Sequence, residues 1–245
     1  EHIGYIRIRQ FQERTGADLV DALNKLQADN ELDGLILDLR NNPGGVLGAS
    51  VDVVDAFISS GLIVYTQGRV ADADSKYYAT SDNPSNDLSM VVLINGGSAS
   101  ASEIVAGALQ DHKRGVIMGT QSFGKGSVQT ILPLSADRAI KLTTARYYTP
   151  LGRSIQAEGI IPDIVVERAK LTKESSADYY KEADLQGHLA NPADAPVKKD
   201  TEADANADQT DGVDVKELPL AERDYQLYEA LNLMKGLAIA ERLRQ

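Results

Sequence analysis

The chain has 245 residues but no cysteine, no tryptophan and only three histidines. Without cysteine it can form neither a disulfide nor a thiol nucleophile, although this leaves its compartment open. The histidines, His2, His112 and His188, have no partner at metal-binding spacing, and no H-E-x-x-H motif occurs. Thiol catalysis is therefore excluded, and zinc-based catalysis is disfavoured.

Basic residues and long apolar runs are also scarce. There are 25 Lys and Arg against 36 Asp and Glu, and the resulting net charge of −11 would repel nucleic-acid phosphates. No apolar run approaches the roughly 20 residues of a membrane span. A strand is predicted close to the first residue, where a signal peptide would lie, so we expect the chain to start within a longer precursor.

Alternating strand and helix patterns predict an α/β domain over residues 1–189. Short apolar runs typical of strands alternate with segments of helical periodicity. The strands are predicted at residues 4–8, 34–39, 90–94 and 115–119, and the helices at residues 17–26, 46–58 and 103–110. Three further strands, at residues 128–134, 138–148 and 164–167, follow at closer spacing.

Two segments follow this domain. Residues 190–217 contain eight acidic and three basic residues and no Leu, Ile, Met or aromatic residue, which predicts a flexible acidic linker. Residues 218–245 have the periodicity of an amphipathic helix that starts near a proline. Its apolar stripe comprises Leu227, Leu231, Met234 and Ala238. Such a helix either packs on its own core or seals an interface with a second copy.

Ser100 lies where the strand at residues 90–94 gives way to a helix. With Glu103 three residues later it fits the spelling of a capping box, which is the commoner role for such a serine. A helix N-terminus also gathers unpaired N–H groups, among them that of Ala101, which suit a developing oxyanion. This segment alone is compatible with a cap and with a nucleophile.

Lys125 stands between two glycines further along the chain. Most lysines are solvent-exposed, but Phe123 and the β-rich stretch 128–134 flank this one, so we expect the turn to pack close to the core. A lysine can activate a serine only in its neutral form, which burial favours. Gln129 could orient the amine, provided that the chain bends at the glycines, because four residues of straight strand span about 13 Å.

Other arrangements of these residues are less favourable. In a triad of Ser100, His112 and Asp38, the serine and histidine would sit at opposite ends of one helix, roughly 18 Å apart at about 1.5 Å per residue. His112 is better placed as a residue at the helix C-terminus. We interpret Asp38 and Arg40 as a structural pair that holds the glycine-containing turn after the second strand.

Six segments resemble, in the same order, signatures of the carboxyl-terminal processing peptidases, also called tail-specific proteases. They are residues 37–45 (LDLRNNPGG), 97–103 (GSASASE), 124–129 (GKGSVQ), 147–156 (YYTPLGRSIQ), 159–166 (GIIPDIVV) and 182–189 (EADLQGHL). The resemblance extends over about residues 1–190, and six ordered motifs make a chance match very improbable.

The resemblance implies a role for each matched residue. Ser100 would be the nucleophile, Lys125 the general base and Gln129 the residue that orients the lysine. The N–H of Ala101 and that of Gly44 or Gly45 would form the oxyanion hole. Two neighbouring serines do not hold the nucleophile's place: Ser98 is interpreted as a turn residue and Ser102 as a first-turn helix residue.

The resemblance also implies the fold and the biological setting. The core would be a ClpP/crotonase-like spiral of strand–strand–helix units with a C-terminal helical appendage. The activity would be a serine endopeptidase that needs no cofactor and cleaves protein substrates in their C-terminal region, in the periplasm or another exported location. We expect a homo-oligomer formed through the C-terminal helix, with an adaptor protein as a further partner. The PDZ domain common in the family is not evident.

Two other functions remain open from the sequence. On the same fold, the chain could be a catalytically idle scaffold in which Ser100 only caps a helix. A crotonase-like acyl-CoA hydratase or isomerase would share the oxyanion hole, but it would leave Lys125 and Gln129 unexplained.

Overall fold

The computed structural model describes residues 2–29, 31–68, 74–80, 85, 88–171, 186–187, 189 and 218–243. The predicted linker at residues 190–217 and most of the motif at residues 182–189 lie outside the described residues. Within the described part, no helix is both long and apolar enough to cross a membrane.

Nine strands and five helices are assigned in the described residues. In chain order they are β1 (Ile3–Arg7), α1 (Thr15–Asp29), β2 (Gly34–Asp38), α2 (Leu47–Asp55), β3 (Leu62–Gly68), β4 (Ser75–Tyr78), β5 (Met90–Ile94), α3 (Ala101–Asp111), β6 (Val116–Gly119), β7 (Ser127–Pro133), β8 (Ala139–Tyr148), β9 (Ile164–Val165), α4 (Leu220–Arg223) and α5 (Tyr225–Arg242).

A five-stranded parallel sheet forms the centre of the molecule. Its strand order is β1-β2-β5-β6-β9, and every residue of β2 and β5 is buried. Because side chains alternate across a strand, Leu35 and Leu37 of β2 face α1, α2 and α3, whereas Ile36 faces α5. Burial on both faces explains why these strands are continuous apolar runs. The predicted α/β class is confirmed; the spiral arrangement of its units stays a prediction.

A second, antiparallel sheet has the order β4-β3-β8-β7. The predicted strands at residues 128–134 and 138–148 correspond to β7 and β8 within one residue at each end. Sequence analysis missed β3 and β4, since LIVYTQG ends in polar residues and SKYY has no apolar alternation. Strand β3 pairs with both β4 and β8 and so joins the β7–β8 hairpin to this sheet.

The C-terminal helix packs on the chain's own parallel sheet. Gln226, Ala230, Met234 and Ala238 are buried at four-residue spacing along α5. The Met234 side chain fills the space above Gly34 of β2, where an added Cβ would lie 2.0 Å from its Cε. Two packings were predicted for the apolar stripe, and the structure shows the helix packed on the core of its own chain. An additional interface with a second copy stays a prediction.

A buried ion-pair network fastens the start of α5 to the end of β2. The Arg40 side chain is only 8% exposed and bonds to Asp38 at 2.8 Å and to Asp224 at 2.7 Å. The predicted Asp38–Arg40 pair is thus present, and Asp224 is a partner that sequence analysis missed. Burial alone would raise the pKa of Asp224, but the hydrogen bonds from Arg40 and from the Leu227 N–H outweigh burial and lower it.

Replacing Asp224 by Asn should lower the free energy of unfolding by about 1–3 kcal/mol at neutral pH, because buried Arg40 loses one of its two carboxylate partners. The folded-state pKa of Asp224 is below its ordinary value of 3.8. The stabilisation is therefore present above the unfolded pKa and is lost as the pH falls through the folded pKa. Urea unfolding of both proteins, at neutral pH and in steps below about pH 4, should show that the difference between their free energies of unfolding shrinks as the pH falls.

The matched control is Glu222→Gln, since Glu222 is a neighbouring carboxylate without an ion pair among the described residues. Its free energy of unfolding should stay within about 0.5 kcal/mol of the parent at every pH. Equal losses in both variants, or a gap in Asp224→Asn that acid does not close, would contradict the role assigned to Asp224.

Candidate active site

The junction between β5 and α3 is a tight turn closed by Ser98. Its N–H donates to the Asn95 carbonyl at 2.8 Å, and its buried hydroxyl donates to the Leu39 carbonyl at 2.8 Å. Ser98 therefore belongs to the turn, as predicted. The Ser102 hydroxyl is also buried and donates to the Asn42 carbonyl at 2.9 Å. Both hydroxyls are committed to backbone carbonyls.

Ser100 lies between these two serines in an uncommon backbone conformation. Its φ is 55° and its ψ is −112°, a region that non-glycine residues seldom occupy and that costs about 1–3 kcal/mol. It is half-buried, immediately before α3, and its N–H donates to Glu103 Oε2 at 2.7 Å. This bond is the carboxylate half of the predicted capping box, so the capping geometry and a position facing a cleft occur together.

The Glu103 carboxylate is completely buried and accepts four hydrogen bonds. Oε2 accepts from the N–H groups of Ser100 at 2.7 Å and Lys125 at 2.9 Å. Oε1 accepts from the Ser122 hydroxyl and the Gly124 N–H, both at 2.6 Å. Glu103 thus ties the serine's turn to the lysine's loop. The sequence pattern predicted only a capping role for Glu103. A carboxylate in the first turn of so apolar a helix could have indicated that it is buried and hydrogen-bonded.

The loop that carries Lys125 bends at its two glycines, as predicted. Gly124 has a φ of 90°, and a Cβ on Gly126 would lie 2.4 Å from the Gln156 nitrogen, so only glycine fits there. Lys125 is half-buried. The turn is buried at Ser122, Gly124 and Gly126. The Phe123 side chain is nevertheless 68% exposed, and the turn is held by N–H groups that donate to Glu103.

A cleft of about 420 Å³ brings together every residue that sequence analysis selected as catalytic. Ser100, Lys125 and Gln129 line it, together with Gly44 and Gly45. A β-bulge between Val128 and Gln129 shifts the register at the point where β7 enters the cleft. Tyr147 lies in the wall, and burial, reinforced by the neighbouring Tyr77, raises the pKa of its phenol.

The glycine turn after β2 lies directly against Ser100. A Cβ on Gly44 would be 2.8 Å from the Ser100 Cβ and 2.9 Å from the Ala101 nitrogen. The Gly44 N–H already donates to Asn42 Oδ1 at 2.9 Å. By contrast, the N–H groups of Gly45 and Ala101 have no hydrogen-bond partner among the described residues. These two groups are therefore the free donors beside Ser100.

Two residues considered for a triad lie elsewhere. His112 follows the last residue of α3, as predicted, and its Nε2 is 2.7 Å from the Leu62 carbonyl oxygen. Asp38 is buried beneath Arg40 and accepts a hydrogen bond from the Tyr5 hydroxyl at 2.8 Å. Burial and this bond raise the pKa of Tyr5 to about 12.

A larger cavity of about 650 Å³ lies near the carboxyl ends of β1 and β2. Its lining includes Arg7, Arg40 and Asp224 but neither Ser100 nor Lys125. It shares the Asn41–Asn95 pair, joined by a hydrogen bond of 2.9 Å, with the turns that carry the candidate site. The smaller cleft is the candidate active site, because it alone of the two is lined by Ser100 and Lys125.

Comparison with known proteins relates the whole arrangement to one family. The profile of peptidase family S41 matches residues 2–166. The carboxy-terminal-processing protease of Bartonella bacilliformis is 46% identical over 238 residues, which are 96% of this chain and 52% of that protein. The carboxyl-terminal-processing protease of Synechocystis sp. is 40% identical over 190 residues, covering 76% of this chain and 44% of that protein.

A solved structure agrees with these matches. The photosystem II D1 C-terminal processing protease superimposes with a TM-score of 0.62 and 38% identity, over 67% of this chain and 42% of that one. The chain spans about half the length of the curated relatives it matches. The resemblance deduced from the sequence motifs is confirmed, and the chain belongs to peptidase family S41, among relatives named carboxyl-terminal processing proteases.

Proposed function

We propose that the chain is the catalytic part of a serine endopeptidase that uses Ser100 as nucleophile and Lys125 as general base. The observation that carries the proposal is the single cleft lined by Ser100, Lys125 and Gln129, with two free N–H groups beside the serine. Family membership makes peptide-bond hydrolysis the reaction class, and the residues that line the cleft support the roles proposed for them.

Each step of acyl transfer has a group to perform it. The Ser100 hydroxyl attacks the scissile carbonyl and passes its proton to the amine of Lys125. The N–H groups of Ala101 and Gly45 donate to the resulting oxyanion. Collapse of the tetrahedral intermediate transfers the proton from Lys125 to the leaving amine. Water then attacks the acyl-enzyme in the same way: Lys125 accepts its proton and passes it to the departing Ser100 oxygen. Gln129 orients the lysine through its side-chain oxygen. No cofactor enters these steps.

The biological setting is part of the same proposal. By analogy with the names of its relatives, the substrates are proteins cleaved in their C-terminal region. The periplasm or another exported compartment, which the resemblance of the sequence motifs implies, is the proposed site of action. We further propose that the chain self-associates through its C-terminal helix and binds a regulatory adaptor protein. We also propose that the core is the ClpP/crotonase-like spiral.

Labelling by a fluorophosphonate probe tests the nucleophile directly. The parent protein should form a covalent adduct that peptide mass mapping locates on Ser100, because the neighbouring hydroxyls of Ser98 and Ser102 are buried and donate to carbonyls. Ser100→Ala should remove the adduct. A folded parent protein that is neither labelled nor active would favour the idle scaffold. A protein that forms no adduct but acts as an acyl-CoA hydratase or isomerase would favour the crotonase-like chemistry.

Substitution of the proposed dyad should abolish peptidase activity while leaving the fold intact. Ser100→Ala and Lys125→Ala should each lower kcat by about 10³-fold or more, and Gln129→Ala by less. Because members of a catalytic unit act together, the double variant should be little worse than either single one. Initial rates on a denatured protein substrate, with circular dichroism as the control for folding, measure this. Full activity in Lys125→Ala would refute the dyad.

Glu103→Gln should lower kcat by about 10- to 100-fold, because one side-chain oxygen becomes an NH₂ group that faces backbone donors. It should also destabilise the protein, since two N–H groups donate to Oε2 and the Ser122 hydroxyl and one N–H donate to Oε1, and an amide cannot accept at both ends. Glu158 is an exposed carboxylate on the loop beside Gly124. The control Glu158→Gln should therefore match the parent in rate and melting temperature. Unchanged kcat in folded Glu103→Gln would show that Glu103 has only a structural role.

Self-association through α5 would use its exposed apolar residues, because Met234 and Ala238 are buried against the chain's own sheet. Ile239 is 51% exposed and Leu243 is 82% exposed. The double variant Ile239→Asp, Leu243→Asp should therefore have a lower mass by light scattering than the parent, whereas exposed Asn232→Asp should not. Identical masses for all three would contradict an interface at this end of the helix.

A further inference from the structure

The cavity of about 650 Å³ lies at the carboxyl edge of the parallel sheet. Its lining combines residues at or just after the carboxyl ends of β1, β2, β5 and β9 with residues at the start of α5. Ligands of open α/β sheets bind in crevices outside the carboxyl ends of the strands. The volume is also within the range of ligand-binding pockets, about 300–1,000 Å³. The cavity therefore has the position and the size of a binding site.

Basic side chains dominate this cavity, although the chain has a net charge of −11. The lining contains five basic and two acidic residues, which are Arg7, Arg40, Arg168, Lys170 and Arg223 against Glu222 and Asp224. Both oxygens of Asp224 accept hydrogen bonds from Arg40, so these two charges satisfy each other. We call this space the basic cavity.

Most of the remaining cations have no partner. Arg168, Lys170 and Arg223 are exposed and form no ion pair among the described residues. Glu222 is the only lining carboxylate that Arg40 does not bind. Like charges gathered around one cavity repel one another, and an anionic ligand would relieve that repulsion. The basic cavity is therefore suited to an anion.

Two turns separate the basic cavity from the cleft that contains Ser100. Asn41 lines the cavity, whereas residues 43–45 of the same turn line the cleft. In the same way, Asn95 lines the cavity, and Ser100 lines the cleft. Three residues of extended chain span about 10 Å, so the lining residues of the two sites lie close together. A polypeptide in the cleft can therefore reach the cavity with about three to five extended residues.

Side-chain carboxylates are the anions that a polypeptide brings to such a cavity. A guanidinium group presents a planar fork of N–H donors that matches the two oxygens of a carboxylate. Arg168 and Arg223 offer two such groups, and Lys170 adds an ammonium group. A segment with several Asp or Glu residues can thus neutralise more than one of these cations at once.

We propose that the basic cavity is a second substrate-binding site, which holds an acidic segment of the polypeptide whose scissile bond lies at Ser100. The inference rests on the proposed peptidase function and adds a charge preference at a distance from the scissile bond. The occupant is the substrate itself, because the cavity and the cleft share the turns at residues 41–45 and 95–100.

Paired peptides test the charge preference. A fluorogenic peptide is extended on either side by three Glu residues or, as the matched control, by three Gln residues, after spacers of increasing length. Every peptide is amidated at its carboxyl terminus, so that side chains supply all the added carboxylates. With a spacer of about three to five residues on one side, kcat/KM should be about five- to tenfold higher for the Glu peptide. Without a spacer, the ratio should stay below about twofold.

The salt dependence of this ratio is a second measurement on the unaltered protein. Since the cations are exposed, the Glu-to-Gln ratio should decline towards one as the ionic strength rises from about 0.05 to 0.5 M. A ratio that does not change with salt would contradict recognition by these cations.

A matched pair of double variants locates the preference in the molecule. Arg168→Gln with Lys170→Gln removes two cations of the basic cavity and should bring the Glu-to-Gln ratio close to one. Lys25→Gln with Lys76→Gln removes two exposed lysines that line neither the cavity nor the cleft, and it should keep the ratio of the parent. Both double variants lower the net charge equally, and melting temperatures control for folding. Should a variant not fold, the paired peptides and the salt series decide.

The outcomes separate this inference from the proposed function. Fluorescence anisotropy with the Ser100→Ala variant measures peptide binding without cleavage. Cleavage at equal rates for Glu and Gln peptides at every spacing, or a ratio that persists in Arg168→Gln, Lys170→Gln, overturns the second site and leaves the peptidase assignment standing. Tighter binding of the Glu peptides, with no peptide cleaved by the parent, overturns the peptidase assignment and leaves the basic cavity as a site for acidic polypeptides.

Discussion

The buried carboxylate of Glu103 determines how the two halves of the site meet. A buried charge is costly unless its oxygens accept hydrogen bonds, and here every acceptor bond comes from the turn of Ser100 or the loop of Lys125. Neither segment can move without leaving that charge partly unsatisfied. This constraint explains how Ser100 keeps a φ of 55° that its own side chain disfavours.

The glycine turn that completes the site is restrained from both sides of the parallel sheet. On the α3 side, Asn42 accepts from the Ser102 hydroxyl and the Ala99 N–H and donates to the Ile8 carbonyl. On the other side, Arg40 is held by Asp224 at the start of α5. The profile of the family ends at residue 166, so α5 lies outside it yet stabilises a turn within it. The C-terminal helix is therefore connected to the site through one buried guanidinium.

Local sequence patterns predicted the elements that are apolar on both faces, and the glycine bend correctly brought Gln129 and Lys125 to one cleft. They failed where a contact joins distant segments. Neither Asp224, 184 residues from Arg40, nor the second partners of Glu103 could be read from periodicity. The turn around Lys125 is buried although Phe123 is exposed, because Ser122 and Gly124 donate to the distant Glu103 carboxylate.

The charges that support the site are kept out of the cleft. Glu103, Asp38 and Arg40 are buried behind the backbone, whereas the polar side chains that line the cleft are two serines, two glutamines, two lysines and a tyrosine. A carboxylate in the cleft would repel the oxyanion of the proposed acyl transfer and would compete for the same N–H donors. Glu103 binds donors on the far side of the loops and so orders them, while the N–H groups of Ala101 and Gly45, which have no partner among the described residues, stay available for the proposed oxyanion.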